Sequence, residues 1–338
     1  MQRCLEIAKR GAGFVNPNPL VGCVIVNQDK IISEGWHKAY GENHAEKMAI
    51  GNLANKFILS ESTIYVNLEP CAHFGKTPPC ANLLIEHKVK RVVVGMTDPN
   101  QLVAGKGIAM LRESGIEVVE NILNQECIEL NKFFVTFHTK KRPFIVLKWA
   151  ECANQFMAPS PKARFQISGP ETQTITHSLR RDVLAILVGV NTWNIDKPQL
   201  NNRLWSGTSP QRFVIDKDLK GNYDKEFVGD SVVHVINAIK NEMVGNVHFI
   251  QLTFNKNFLN SLMDVFYNQN INSLMVEGGS FTLNEFIDAN LFDEIHRFKS
   301  KKTQLIHGIL APIVKGNRIN SMELPNDYYE VFKNNSTL

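Results

Sequence analysis

Two α/β domains in series are what this sequence predicts. Its 338 residues exceed what one hydrophobic core usually organises and suit two. Short apolar runs alternate with segments of helical apolar period, the pattern of strands covered by helices. Between two such sets stands His138-Thr139-Lys140-Lys141-Arg142-Pro143, a basic stretch closed by a proline. The domains are therefore expected at residues 1–142 and 143–338.

Composition narrows the class. Hydrophobic residues make up 43% and charged residues 21%, the balance of a globular chain and not of a disordered one. A net charge of +4 is too mild to imply nucleic-acid binding without a clustered stripe, but it favours anionic small molecules, such as a phosphorylated substrate. The cysteines (Cys4, Cys23, Cys71, Cys80, Cys127 and Cys152) are scattered, which reads as reduced thiols in a cytoplasmic enzyme and not as a disulfide framework. No apolar run reaches membrane-spanning length, and residues 1–20 lack a signal-peptide core, so no membrane partner is expected.

Residues 1–10 place Met1, Leu5 and Ala8 on one helical face, and Gly11 and Gly13 close the helix. In Asn16-Pro17-Asn18-Pro19 each proline restricts the residue before it, so Asn18 sits on a rigid turn. Residues 20–26 then read as a strand, Asn27-Gln28-Asp29 as a hairpin turn and residues 31–35 as the partner strand. Trp36-His37 leads into a loop ending at Asn43. His44 opens a helix whose period is kept by Ala45, Met48, Ala49 and Leu53, which puts His44 and Glu46 in its first turn. Residues 63–68 form a buried strand running into Glu69-Pro70-Cys71. Cys80 begins a helix over 81–87, where the preceding prolines favour helix initiation and the helix dipole lowers a thiol pKa. A strand at 92–95, a helix at 108–113, a strand at 116–119 and one helix over 123–137, with Cys127 in its core, complete the first domain. Gly105-x-Gly107 lacks a third glycine and stands apart from the strand before it, so it is read as a turn into a helix.

An ion that activates water needs three fixed ligands and one open position, and a histidine with two thiolates supplies that set: His44, Cys71 and Cys80. Zinc is therefore expected. The order H-x-E, Pro-Cys, Cys is the signature of zinc deaminases, in which the glutamate, here Glu46, moves protons and does not bind metal. The gap between the cysteines, Ala72 to Pro79, holds eight residues where that signature has two. A closed structural zinc would need a fourth ligand, for which His73 is the candidate, and would leave Glu46 without a task.

Together, His44-Ala45-Glu46 and Glu69-Pro70-Cys71-Ala72-His73-Phe74-Gly75-Lys76-Thr77-Pro78-Pro79-Cys80 resemble the bifunctional riboflavin-biosynthesis deaminase–reductase family. Asn18-Pro19-Leu20-Val21-Gly22, Asp98-Pro99-Asn100 and Val103-Ala104-Gly105-Lys106-Gly107 fall where that family has its own versions. The long gap between the cysteines is also what this family shows. The resemblance implies a cytidine-deaminase-like three-layer fold for the first domain. It also implies that Asn18, His37, Lys76, Asp98 and Asn100 contact a diaminopyrimidine bearing a phosphoribosylamino group.

In the second domain, residues 144–149 read as an apolar strand, 171–181 as an Arg-ended helix and 183–190 as another buried strand. Residues 273–276 run into Glu277-Gly278-Gly279 and a helix over 282–289, a turn at which backbone amides can approach a phosphate. Residues 296–307 are basic and poorly periodic, so Lys299, Lys301 and Lys302 are expected in a solvated loop. This half resembles the reductase half of the same family, which is dihydrofolate-reductase-like and uses NADPH. That resemblance implies Ala150, Gln166, Thr192, Asp196 and Gly279 near the cofactor. It implies Arg164, Arg180, Leu200, Arg203 and Glu277 around the substrate's ribosylamino phosphate, where arginine's planar fork suits two phosphate oxygens. Asn154 stands where the family usually has Asp, and Gln166 where Trp is common. The chain is expected to act as a homo-oligomer, without nucleic acid.

Three rival readings make different demands. A nucleic-acid deaminase needs a short Cys-x-x-Cys loop and stacking aromatics. A free-nucleoside deaminase leaves residues 143–338 unexplained. A zinc scaffold without catalysis makes Glu46 dispensable.

Overall fold

The computed structural model describes residues 1–72, 78–159, 163 and 165–335, so His73, Lys76 and Arg164 lie outside the described residues. The chain forms two compact units, Met1–Lys141 and Arg142–Leu338. No helix among the described residues is long and apolar enough to cross a membrane.

The first unit is a sheet with helices on both faces. Its elements are α1 (Gln2–Ala8), β1 (Gly22–Asn27), β2 (Lys30–Trp36), α2 (Ala45–Gly51), β3 (Thr63–Val66), α3 (Cys80–Glu86), β4 (Arg91–Val94), α4 (Lys106–Glu113), β5 (Glu117–Val119), α5 (Asn124–Leu130) and α6 (Lys132–Lys140). The strand order is β2-β1-β3-β4-β5. β1 runs antiparallel to β2 and β3, whereas β3, β4 and β5 are parallel. Alternation along β1 separates the layers: Cys23 and Ile25 pack with Ala45, Ala49, Leu84, Ile108 and Leu111, while Val24 packs with Cys4 and Ile7 of α1.

Residues 123–137, expected as one helix, form two. The break is at Asn131, which leaves helical geometry at φ −107°, ψ 25°. Its buried side chain accepts the Leu20 N–H at 2.8 Å and donates to the Leu20 carbonyl at 3.1 Å. Local periodicity does not register a side chain that serves a segment 111 residues away. α6 then continues to Lys140, through residues whose composition suggests a linker. Arg142 groups with the second unit, where its guanidinium grips Asp293 at 2.6 and 2.9 Å.

The second unit contains β6 (Phe144–Glu151), β7 (Phe156–Ala158), α7 (Pro170–Asp182), β8 (Ala185–Gly189), α8 (Val190–Asp196), β9 (Gln211–Ile215), α9 (Lys225–Val228), β10 (Val233–Asn237), β11 (Glu242–Val244), β12 (Val247–Gln251), α10 (Phe258–Asn268), β13 (Ser273–Glu277), α11 (Ser280–Asp288), β14 (Glu294–Ser300), β15 (Ile309–Leu310), β16 (Asn317–Glu323) and β17 (Asp327–Lys333). A ten-stranded sheet has the order β11-β12-β10-β9-β8-β13-β6-β14-β17-β16, and β15 pairs with β7 apart from it. From β12 to β14 every neighbour is parallel, and β11, β17 and β16 run antiparallel to theirs. The near-continuous apolar runs of β8 and β13 are buried on both faces, as parallel strands between helices require.

The solvated loop expected over 296–307 is overturned at its start, because Glu294–Ser300 is a strand between β6 and β17. Ile295 and Phe298 are fully buried, and the polar side chains between them are partnered from within the sheet. His296 meets the Tyr329 hydroxyl at 2.7 Å and Glu294 at 3.2 Å, and Arg297 donates to Glu330 at 3.0 Å. Lys299 is half-buried in the strand and Lys301 pairs with Glu323 at 2.7 Å, which leaves Lys302 as the exposed one of the three.

Candidate functional site

The first unit brings its three candidate metal ligands together from separate elements. His44 is the N-cap of α2, Cys71 follows β3, and Cys80 opens α3. Their ligand atoms all lie within 4.8 Å of one another. His44 Nδ1 is 3.5 Å from Cys71 Sγ and 3.3 Å from Cys80 Sγ, and the Cys80 backbone N–H donates to Cys71 Sγ at 3.3 Å. One imidazole nitrogen and two sulfurs converging beside a cavity fit zinc with an open position. Hydrogen bonds from Cys80 and His44 hold the Cys71 thiol low, which favours the ligating thiolate.

The cavity, of about 310 Å³, gathers Asn18, His37, His44, Glu46, Cys71, Asp98 and Asn100. Glu46 is 3% exposed, and burial pushes its carboxyl up to about 7. His37 Nδ1 lies 3.1 Å from the Asn43 carbonyl, which can only accept, so Nδ1 carries the proton. Nε2 is then the acceptor for Asn18 Nδ2 at 3.1 Å, and burial lowers the pKa of the ring, keeping it neutral. Asp98 accepts the Asn100 N–H at 2.8 Å, and Asn100 accepts that of Leu102 at 3.1 Å, so each carboxylate or amide is set by the loop that carries it.

Sequence reasoning missed several residues here. Phe134 and His138 line the cavity from α6, with their rings 4.5 Å apart. Their i,i+4 spacing was the available signal, hidden by assigning residue 138 to the linker. Asn67, fully buried, accepts the Gly22 N–H at 2.7 Å and donates to the Leu20 carbonyl at 2.9 Å, so with Asn131 it pins the segment that follows Asn18.

In the second unit a cavity of about 620 Å³ opens at the carboxyl ends of β6, β8 and β13, where open parallel sheets place ligands. It is lined by Ala150, Gln166, Thr192, Asp196, Arg180, Leu200, Arg203 and Glu277. Gly279 is not part of that lining, but its N–H donates to Thr192 Oγ1 at 3.0 Å. Gly279 and Thr192 also line a neighbouring, more apolar cavity of about 440 Å³ walled by Phe254 and Phe258. Gly278 at φ +124° has Thr192 atoms 2.9 Å from where a Cβ would lie, so no side chain fits at this strand-to-helix turn. Two adjoining cavities that share Thr192, with a glycine turn between strand and helix, fit an elongated dinucleotide.

Arg180 is not presented as a free cation. It donates to both oxygens of Glu277, to which Lys148 Nζ is also bonded at 3.1 Å. Burial alone would raise the Glu277 pKa, but Arg180 and Lys148 outweigh it and hold the carboxyl at about 2. Lys148 was missed, although a lysine inside the apolar run of β6 was its signal. Arg203 is exposed, bonded to Asn201 at 3.0 Å, with its backbone N–H on the buried His177 at 3.2 Å. Asn154 does not line the cavity. Its amide pairs instead with the backbone of Leu305, at 2.7 and 3.3 Å.

Comparison with known proteins agrees with this geometry. The family model described as the cytidine and deoxycytidylate deaminase zinc-binding region matches residues 1–96, and that described as the RibD C-terminal domain matches residues 143–299. The riboflavin biosynthesis protein RibD of Actinobacillus pleuropneumoniae is 37% identical over 89% of this chain and 83% of its own length. That of Aquifex aeolicus is 38% identical over 89% and 86%. Among solved structures, a diaminohydroxyphosphoribosylaminopyrimidine deaminase/5-amino-6-(5-phosphoribosylamino)uracil reductase from Thermotoga maritima is 35% identical, covers 99% of this chain and 97% of its own, and superposes with a TM-score of 0.88. With a zinc-deaminase half, a reductase half and such relatives along nearly its whole length, the chain belongs to the RibD family of bifunctional riboflavin-biosynthesis enzymes.

Proposed function

We propose that the first unit deaminates a diaminopyrimidine carrying a phosphoribosylamino group, and that the second reduces the ribosyl group of the product to ribityl. The observation that carries the reading is a cavity lined by His44, Cys71 and a buried Glu46, with the Cys80 sulfur within 4.8 Å of the ligand atoms of His44 and Cys71. When bound there, zinc supplies a Lewis acid that activates water. Glu46 accepts a proton from the attacking water and returns it to the leaving amino group. Glu46 can serve in both directions of that transfer because its carboxyl is buried at the cavity and lies two residues from His44. The neutral His37 orients the Asn18 amide toward the pyrimidine, and Asp98 and Asn100 meet its polar edge from the opposite loop.

In the second unit NADPH, when bound, supplies the hydride. Ala150, Gln166, Thr192, Asp196 and Gly279 line or organise its place, and Arg203 meets the substrate phosphate. Glu277, clamped by Arg180 and Lys148, forms the floor on which the ribosyl group rests.

Glu46→Gln tests both halves at once. The variant should keep its zinc and lose deamination, because an amide does not shuttle a proton, while reduction of supplied deaminated intermediate stays nearly intact if residues 1–142 and 143–338 work as separate domains. Retained deamination would remove Glu46 from its role. Loss of both activities in folded, zinc-loaded protein would argue for one shared site.

A further inference from the structure

Two residues before the metal ligand Cys71, the side chain of Glu69 turns away from solvent at 5% exposure. Its carboxylate accepts four backbone N–H groups. Oε2 takes Asp98 at 3.0 Å and Gly105 at 2.9 Å, while Oε1 takes Gly107 at 2.9 Å and Ile108 at 3.3 Å. These amides belong to the loop that carries Asp98 and Asn100 and to the first turn of α4. The same contact is closed from the backbone side, since a Cβ on Gly107 would lie 2.0 Å from the Pro70 carbonyl oxygen. The Glu69 N–H is itself bonded to Met96 at 2.9 Å, so the residue is anchored at both ends.

We propose that Glu69 is a positioning residue of the deaminase: it sets the distance between the metal-ligand segment 70–71 and the loop 98–105 that meets the substrate. Charged acceptors make the stronger hydrogen bonds, and a buried carboxylate with four donors leaves the loop one arrangement. Glu69 touches the loop's backbone, so it acts through Asp98 and Asn100. The inference rests on the reading that these two residues contact the pyrimidine.

The consequence is a division of labour that kinetics can read. Glu69→Gln keeps the size of the side chain but turns an NH₂ group toward two of the four donors, which shifts the loop without touching His44, Cys71 or Cys80. Zinc content and the reductase parameters should stay at the wild-type level. The deaminase KM should rise about tenfold or more while kcat changes by less than about threefold, the pattern of lost substrate placement with the reacting groups intact. Gly107→Ala, which forces α4 and the Pro70 carbonyl apart and crowds Glu69 Oε1 while keeping the carboxylate itself, should give the same KM-selective change at wild-type zinc content. Asp98→Ala serves as the control. An unchanged KM there overturns the contact assigned to Asp98, whereas a raised KM there with an unchanged KM in Glu69→Gln overturns the role of Glu69. Zinc loss, or a fall in kcat at constant KM, in Glu69→Gln also overturns it. Should that variant fail to fold, the presence or absence of the KM-selective change in Gly107→Ala decides.

Discussion

Arg180 grips Glu277 at both ends, with Nε 3.1 Å from Oε2 and Nη2 3.0 Å from Oε1, at the carboxyl end of β13. The pair lines the cavity of the second unit together with Lys148, and its strength has a pH signature. The Glu277 carboxyl is held at about 2 in the fold against an ordinary value of 4.5. A depressed pKa stabilises the fold above the unfolded value, and this contribution is lost as pH falls from about 4.5 toward 2. By the usual conversion it amounts to about 3 kcal/mol at neutral pH. Urea unfolding of the wild type and Glu277→Gln between pH 2 and 7 checks it. The two stabilities should converge at the acid end, and parallel curves would count against the assignment.

The two arginines of the cavity should behave differently. Arg203 is exposed and its guanidinium is held by the neutral Asn201 amide, so Arg203→Ala should leave stability within about 0.5 kcal/mol. Losing its charge-assisted bond should raise the reductase substrate KM about ten- to hundredfold. Calorimetric titration with NADP⁺ should show an unchanged Kd. Arg180→Ala should instead cost roughly 3 kcal/mol of stability, because it strands part of a buried charge.

Metal analysis of the purified protein should find about one zinc per chain. Cys71→Ser and Cys80→Ser should lose most of it, since thiolates carry much of the affinity. Removing the metal with a chelator should abolish deamination and leave reduction of supplied intermediate unchanged. Zinc retention in both serine variants would mean that the ligands lie elsewhere.

Asn131→Ala takes away an acceptor and a donor for Leu20, at a cost of about 1–3 kcal/mol. Because the pinned segment follows Asn18, the deaminase KM should rise in the same variant, with reductase kinetics as the unaffected internal reference. Equal stability to wild type by thermal unfolding would show that the break between α5 and α6 does not depend on this side chain.

Much of the deaminase site is legible in the amino-acid order alone. His44, Glu46, Cys71 and Cys80 announce themselves because a metal-ligand set draws on few residue types, and because His44, Glu46 and Cys80 stand at helix starts whose proline and apolar signals are local. The turn at Gly105 and Gly107 and the buried strands of both units are readable for the same reason: apolar periodicity and glycine chemistry act within a few residues. The boundaries and partners are not. Asn131 breaks a helix to serve Leu20, and β14 looks like a basic loop until Glu330 and Tyr329 of β17 meet its charges.

Residue order thus suffices to pick out the residues that the first unit gathers at its cavity and to show that strands alternate with helices in both units. How the charges are spent is settled by folding. Arg180 reads as a phosphate ligand in one dimension, and 97 residues later the chain supplies Glu277, which takes the Nε and Nη2 of its guanidinium while Nη1 meets the Asn201 carbonyl. Glu69 looks like the residue before Pro-Cys until four amides from 29 to 39 residues downstream converge on it. The physical reason is common to both cases: a buried charge must be paired or hydrogen-bonded where it lies, and its partners are chosen by the packing of distant segments, which no local pattern encodes.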